Sequence, residues 1–114
     1  VQQLSECFSR VGIDAVIATN TTLSREAVAG LAHADEAGGL SGKPVFAKST
    51  EIVRQFRQAL PADMPIIAAG GIMSAEDAMQ KLEAGAQLIQ IYSGLIYQGP
   101  KLIQDIVKTI QKRK

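Results

Sequence analysis

Aromatic side chains make up only 4% of this 114-residue chain, and there is no tryptophan. That scarcity weakens any role that depends on stacking bases against aromatic faces. Charge of one sign is lacking as well: 12 lysines and arginines against 11 acidic residues leave a net charge of +1, so no strong field points to nucleic acid as a partner. A single cysteine excludes an internal disulfide framework and suits a reducing compartment. The single histidine, His33, has no cysteine partner and no carboxylate at ligand spacing. No metal site is expected there, and His33 reads as a surface loop residue. No apolar run nears the ~18 residues that a membrane-spanning helix needs. No secretory leader is visible, but the chain begins at Val1 rather than methionine and reads as a piece of something longer.

What is present is apolar residues in quantity, 46% of the chain, which suits a globular protein of one small domain. The most informative stretch is PIIAAGGIMS, Pro65 to Ser74. Ile66, Ile67, Ala68 and Ala69 show no polar alternation and read as a parallel strand buried on both faces. Gly70 and Gly71 remove side chains where that strand ends, so backbone N–H groups can approach a ligand. Ser74, with Asp77 three residues on, is a capping-box variant that opens a helix. Strand, glycine turn and helix N-terminus together suit an anion such as phosphate.

In chain order, Leu4, Cys7, Phe8 and Val11 mark one face of a helix over residues 2–11, with Gly12 ending it and Cys7 as a small core residue. Ile13 to Thr19 reads as a strand, followed by Asn20, Thr21 and Thr22 where α/β proteins place ligands; the alternative is that these residues only cap a turn. Residues 20–43 form a long connection, of a length that is functional or disordered. Its middle, Ser24 to Leu31, suits a short helical turn, and its glycine-rich end, Gly38 to Gly42, suits a flexible loop. Helices follow over Lys48–Leu60 and Ser74–Ala84, the second with Ala78, Met79 and Leu82 inward and Gly85 at its end. A third strand, Gln87 to Tyr92, runs into Ser93 and Gly94. Pro100 then reads as the first residue of a last helix, with Leu102, Ile103, Ile106, Val107 and Ile110 inward. Lys112, Arg113 and Lys114 meet the negative end of that helix.

The fold class is therefore α/β: a leading helix, then three βα units with parallel strands near 13–19, 66–69 and 87–92. Their carboxyl ends share one rim, carrying Thr19, Asn20 and Thr21, then Gly70 and Gly71, then Tyr92 and Ser93. A phosphate site built from the loops after the last two strands recurs in (β/α)8 barrels, and here those loops are GGIMS and YSG.

Read together, IATNTT, GGLSGKP, KSTEIV, PIIAAGGI, AGAQLIQIYSGLIYQGP and LIQDIV resemble the carboxyl-terminal part of class 2, quinone-dependent dihydroorotate dehydrogenase, in register from Gly12 to Ile110. The resemblance implies that residues 1–114 are part of an FMN-binding (β/α)8 TIM barrel whose amino-terminal portion is absent. It implies an enzyme that oxidises dihydroorotate to orotate in pyrimidine synthesis and passes electrons to a membrane quinone. The intact enzyme is then expected at the periphery of the inner membrane on its cytoplasmic side, and this fragment is expected to be soluble. Carried over, Thr19, Ser41, Gly42, Gly70, Gly71, Tyr92 and Ser93 are expected to hold FMN, with Gly71, Tyr92 and Ser93 around its phosphate. Asn20 and Thr21 are expected to contact the orotate ring.

The departures are as informative. The family's catalytic serine, and a lysine near the flavin, lie in the earlier half of the barrel, so no catalytic residue is expected in this chain. The fragment alone is expected to be inactive. The other readings are a non-catalytic FMN- or phosphate-binding half-barrel, and another phosphate-binding TIM-barrel enzyme. Strands 13–19 and 87–92 would present unpaired edges, so self-association is expected.

Overall fold

The computed structural model describes residues 1–113, so the expectation for Lys114 lies outside it. The chain runs α1 (Gln2–Val11), β1 (Val16–Ala18), a long loop, α2 (Phe46–Ala59), β2 (Ile66–Ala69), α3 (Ala75–Glu83), β3 (Leu88–Gln90), α4 (Ser93–Gln98) and α5 (Lys101–Lys112). Three parallel strands form one sheet in the order β1-β2-β3, with Val16 opposite Ile66 and Ile67 opposite Leu88. The expected strands 13–19 and 87–92 shorten to three residues each. The ladder nevertheless reaches one residue further in two places: at the carboxyl end of β1, where Thr19 N–H donates to Ala69 O at 2.8 Å, and at the amino end of β3, where Gln87 N–H donates to Ile66 O at 2.9 Å.

Helices cover one face of the sheet. Val16, Ala18, Ile66 and Ala68 point toward α2, where Val53, Phe56 and Leu60 complete a core. Phe8 of α1 stacks on Phe56 with ring centroids 6.2 Å apart. A second cluster, Ile72, Ala78, Met79, Leu102 and Ile106, joins α3 to α5. Among the described residues no element covers the opposite face. Ile17, Ile67 and Leu88 lie in register across it, and Ile17 and Leu88 keep 58% and 57% of their surface exposed. The molecule is a plate of 43 × 36 × 17 Å, one sheet and one helix layer thick.

Several helix details depart from expectation. On α1 the buried residue is Ser5, with Phe8 and Cys7 half-buried, while Leu4 and Val11 are exposed. Among helices, α1 packs chiefly on α2, so only a narrow strip of its apolar face is covered. Ile103 and Val107 of α5 are likewise exposed rather than inward. Pro100 precedes α5 as its N-cap instead of standing inside its first turn, and α2 begins at Phe46 after a tight turn over Lys43–Val45. The α4 helix had no helical period to announce it and follows directly from the YSG turn.

Candidate functional site

The site is built at the carboxyl ends of the strands. Ser74 Oγ accepts from Asp77 N–H at 3.1 Å and caps α3. The Asp77 carboxylate reaches back to Met73 N–H at 2.9 Å, one residue earlier than in the standard reciprocal cap. These bonds anchor the far side of the glycine turn. Gly70 and Gly71 have φ of 126° and 72°, values that L side chains rarely adopt. Space forbids a side chain as well: a Cβ on Gly71 would lie 2.5 to 2.7 Å from Cβ, Cα and N of Phe46, and one on Gly70 would lie 2.7 Å from Ser49 Oγ. The turn is pressed against the first residues of α2, with no room on that side, and it opens on the other.

The 20–42 connection is ordered by its own bonds. Thr22 and Leu40 pair antiparallel, with N–H···O distances of 2.9 and 2.8 Å in the two directions. The Arg25 guanidinium donates to Glu36 O at 3.0 Å and also to Gly38 O. The expected helical turn is present as Glu26–Val28. His33 lies on the outside of this loop, its Nδ1 3.0 Å from Glu36 Oε1 and both side chains well exposed. The loop returns to the rim at Ser41, whose hydroxyl is 3.0 Å from that of Ser93, 52 residues further on.

The outcome is one open cavity of about 300 Å³. Thr19, Asn20, Thr21, Ser41, Gly42, Gly70, Gly71, Tyr92 and Ser93 all line it, so every residue singled out from the sequence for binding is brought to a single place. Asn20 Oδ1 accepts from Thr21 N–H at 2.8 Å, which occupies the amide oxygen and leaves the two Nδ2 donors for other partners. Among the described lining residues there is no histidine, carboxylate, lysine or cysteine. The cavity can donate hydrogen bonds and receive an anion; it carries no obvious base.

Sequence reasoning missed three residues here. Gln90 continues the bare inner row two positions beyond Leu88 and enters the cavity; its alternation in QLIQIY was the available signal. Gly94 is needed because a Cβ there would fall 2.1 Å from Ile72 O, and nothing in the sequence marks that contact. Lys81 of α3 is fully buried, where the helical pattern suggests only an ordinary surface lysine. Burial lowers its pKa to about 8, with the Asp77 charge opposing that shift.

Comparison with known proteins agrees with this geometry. Residues 1–113 match the family described as dihydroorotate dehydrogenase. The chain is 56% identical over 108 residues to the dihydroorotate dehydrogenase (quinone) of Shewanella pealeana and covers 95% of this chain and 32% of that protein. It is 57% identical over 111 residues to that of Albidiferax ferrireducens, covering 97% and 31%. Among solved structures, the Eimeria tenella DHODH in complex with ferulenol superposes with a TM-score of 0.86 at 30% identity, covering 98% of this chain and 31% of that one. The ligand-free form from the same organism gives 0.85 at 33% identity, covering 92% and 29%. The chain thus spans about a third of the length of the relatives it matches.

Proposed function

The chain belongs to the dihydroorotate dehydrogenase family and has the fold of a (β/α)8-barrel segment; from that premise we propose that it forms the flavin-phosphate and substrate-ring side of such an enzyme's site. One observation carries the reading: nine residues expected to bind, drawn from four separate stretches of sequence, line one cavity. The fit to FMN rests on the glycine turn, where added Cβ atoms would collide with α2, and on the paired hydroxyls of Ser41 and Ser93. Gly71, Tyr92 and Ser93 would meet the phosphate with N–H and O–H donors. Thr19, Ser41, Gly42 and Gly70 would hold the rest of the flavin, and Asn20 and Thr21 would orient a planar pyrimidine such as dihydroorotate or orotate. Bound FMN supplies a hydride acceptor. This chain's residues position the reactants and contribute no base, so the proton must be taken by a group elsewhere in a complete barrel.

A quinone as final acceptor and a peripheral place at the inner membrane belong to the same proposal. Among the described residues no helix is long and apolar enough to cross a membrane. We also propose that the isolated chain self-associates through its bare sheet face and strand edges.

FMN fluorescence titration tests the reading. Saturable binding is expected, Gly71→Asp should abolish it by placing charge and bulk in the turn, and dihydroorotate with a quinone analogue should yield no orotate. Absence of FMN binding would overturn the binding role, and turnover would overturn the missing base.

A further inference from the structure

Lys81 sits on the packed side of α3, with no exposed surface, and its contacts run to α2. Its Nζ lies 3.3 Å from Phe46 O, 3.0 Å from Ser49 Oγ and 4.6 Å from the centre of the Phe46 ring. Ser49 spends its only hydrogen on Ala69 O, at 2.6 Å, so the lysine is the donor in the bond between them. Ala69 is the last residue of β2 and also receives the Thr19 N–H. Ser49 Oγ is the atom that faces Gly70, and the Phe46 backbone is what faces Gly71. A single ammonium therefore reaches both glycines, each through one residue of α2.

Burying a lysine without a carboxylate in direct contact is costly. Asp77, one turn earlier on the same helix, is the charged group acting on it, and that carboxylate is bonded to Met73 N–H. A methionine would fill the same space without the desolvation cost, so packing alone gives a poor reason for the amine.

We propose that Lys81 is the positioning residue of the glycine turn, a clamp from α3 that holds the start of α2 against the end of β2 so that Gly70 and Gly71 present their backbone to the cavity. The clamp itself is independent of the flavin reading; its effect on binding rests on that reading.

Amide NMR of the full chain tests it, with Lys81→Met and Ser49→Ala. In Lys81→Met the Gly70 and Gly71 amide signals should shift or broaden, and the Thr19 amide should exchange about tenfold faster, the loss of one charged hydrogen bond. The Ala84 amide, inside its own helical bond to Gln80 O, should keep its protection. Ser49→Ala should give the same local pattern with smaller amplitude. FMN affinity should fall about tenfold in Lys81→Met, matching the same energy. Unchanged Gly70, Gly71 and Thr19 signals in a folded Lys81→Met protein would overturn the clamp. So would a uniform loss of protection in Lys81→Met combined with an unperturbed turn in Ser49→Ala. If the unaltered chain binds no FMN, the flavin reading fails, and the amide signals still decide the clamp.

Discussion

A helical pattern places a lysine on the wet side of its helix, and only contact shows when one is instead packed inside. For Lys81 the informative atom is Nζ. Its pKa of about 8 against the ordinary 10.5 has a definite consequence for stability. Between those values the unfolded chain binds more protons than the folded one, so stability rises with pH there. The cost of holding the ammonium is fully present below pH 8 and is relieved as pH climbs toward 10.5. The urea midpoint should therefore increase from pH 7.5 to pH 10 by more in the unaltered protein than in Lys81→Met. Equal increments would show that this amine is not the group being titrated. Gly70 and Gly71 were legible from the sequence because two adjacent glycines at the end of an apolar run have few other uses. Lys81 was not, because its role depends on residues 32 and 35 positions away on another helix.

Among the elements, α3 joins the glycine turn to both α2 and α5. It is capped by Ser74, carries Asp77 and Lys81, and shares a core with α5. Ser74→Ala should remove the cap bond to Asp77 N–H and lower stability by about 1 kcal/mol, measured by urea denaturation; no change would mean that Asp77 alone holds the helix start. The helices were readable where period and caps coincide, as in α3, whose inward residues Ala78 and Met79 are buried. They were misread where a helix has a partner on one side only. An amphipathic face predicts that something covers it, and cannot say whether the described residues include that cover: Leu4, Val11, Ile103 and Val107 are exposed here. Strand ends were overextended for a different reason. Apolar composition continues past the point where the ladder stops, and the chain at Tyr92 turns away into α4.

At the scale of the whole molecule, the bare face of the sheet dominates. Among the described residues β1 and β3 each pair on one side only, and Ile17 and Leu88 add exposed apolar surface between them. Such edges and faces favour association with another copy. Sedimentation should show mass rising with concentration, and Ile17→Lys together with Leu88→Lys should shift the population toward monomer. A concentration-independent monomer would rule the association out. The register of the sheet also sets a timetable for synthesis. Val16 pairs with Ile66, 50 positions later, whereas Ile67 and Leu88 are only 21 apart. At ribosomal speeds the first strand waits roughly 3 to 10 s for its neighbour to be made. Until then β1 can pack against α1 and, once it is made, α2, but it lacks its β2 partner, which makes that interval one in which a chaperone would have apolar surface to cover.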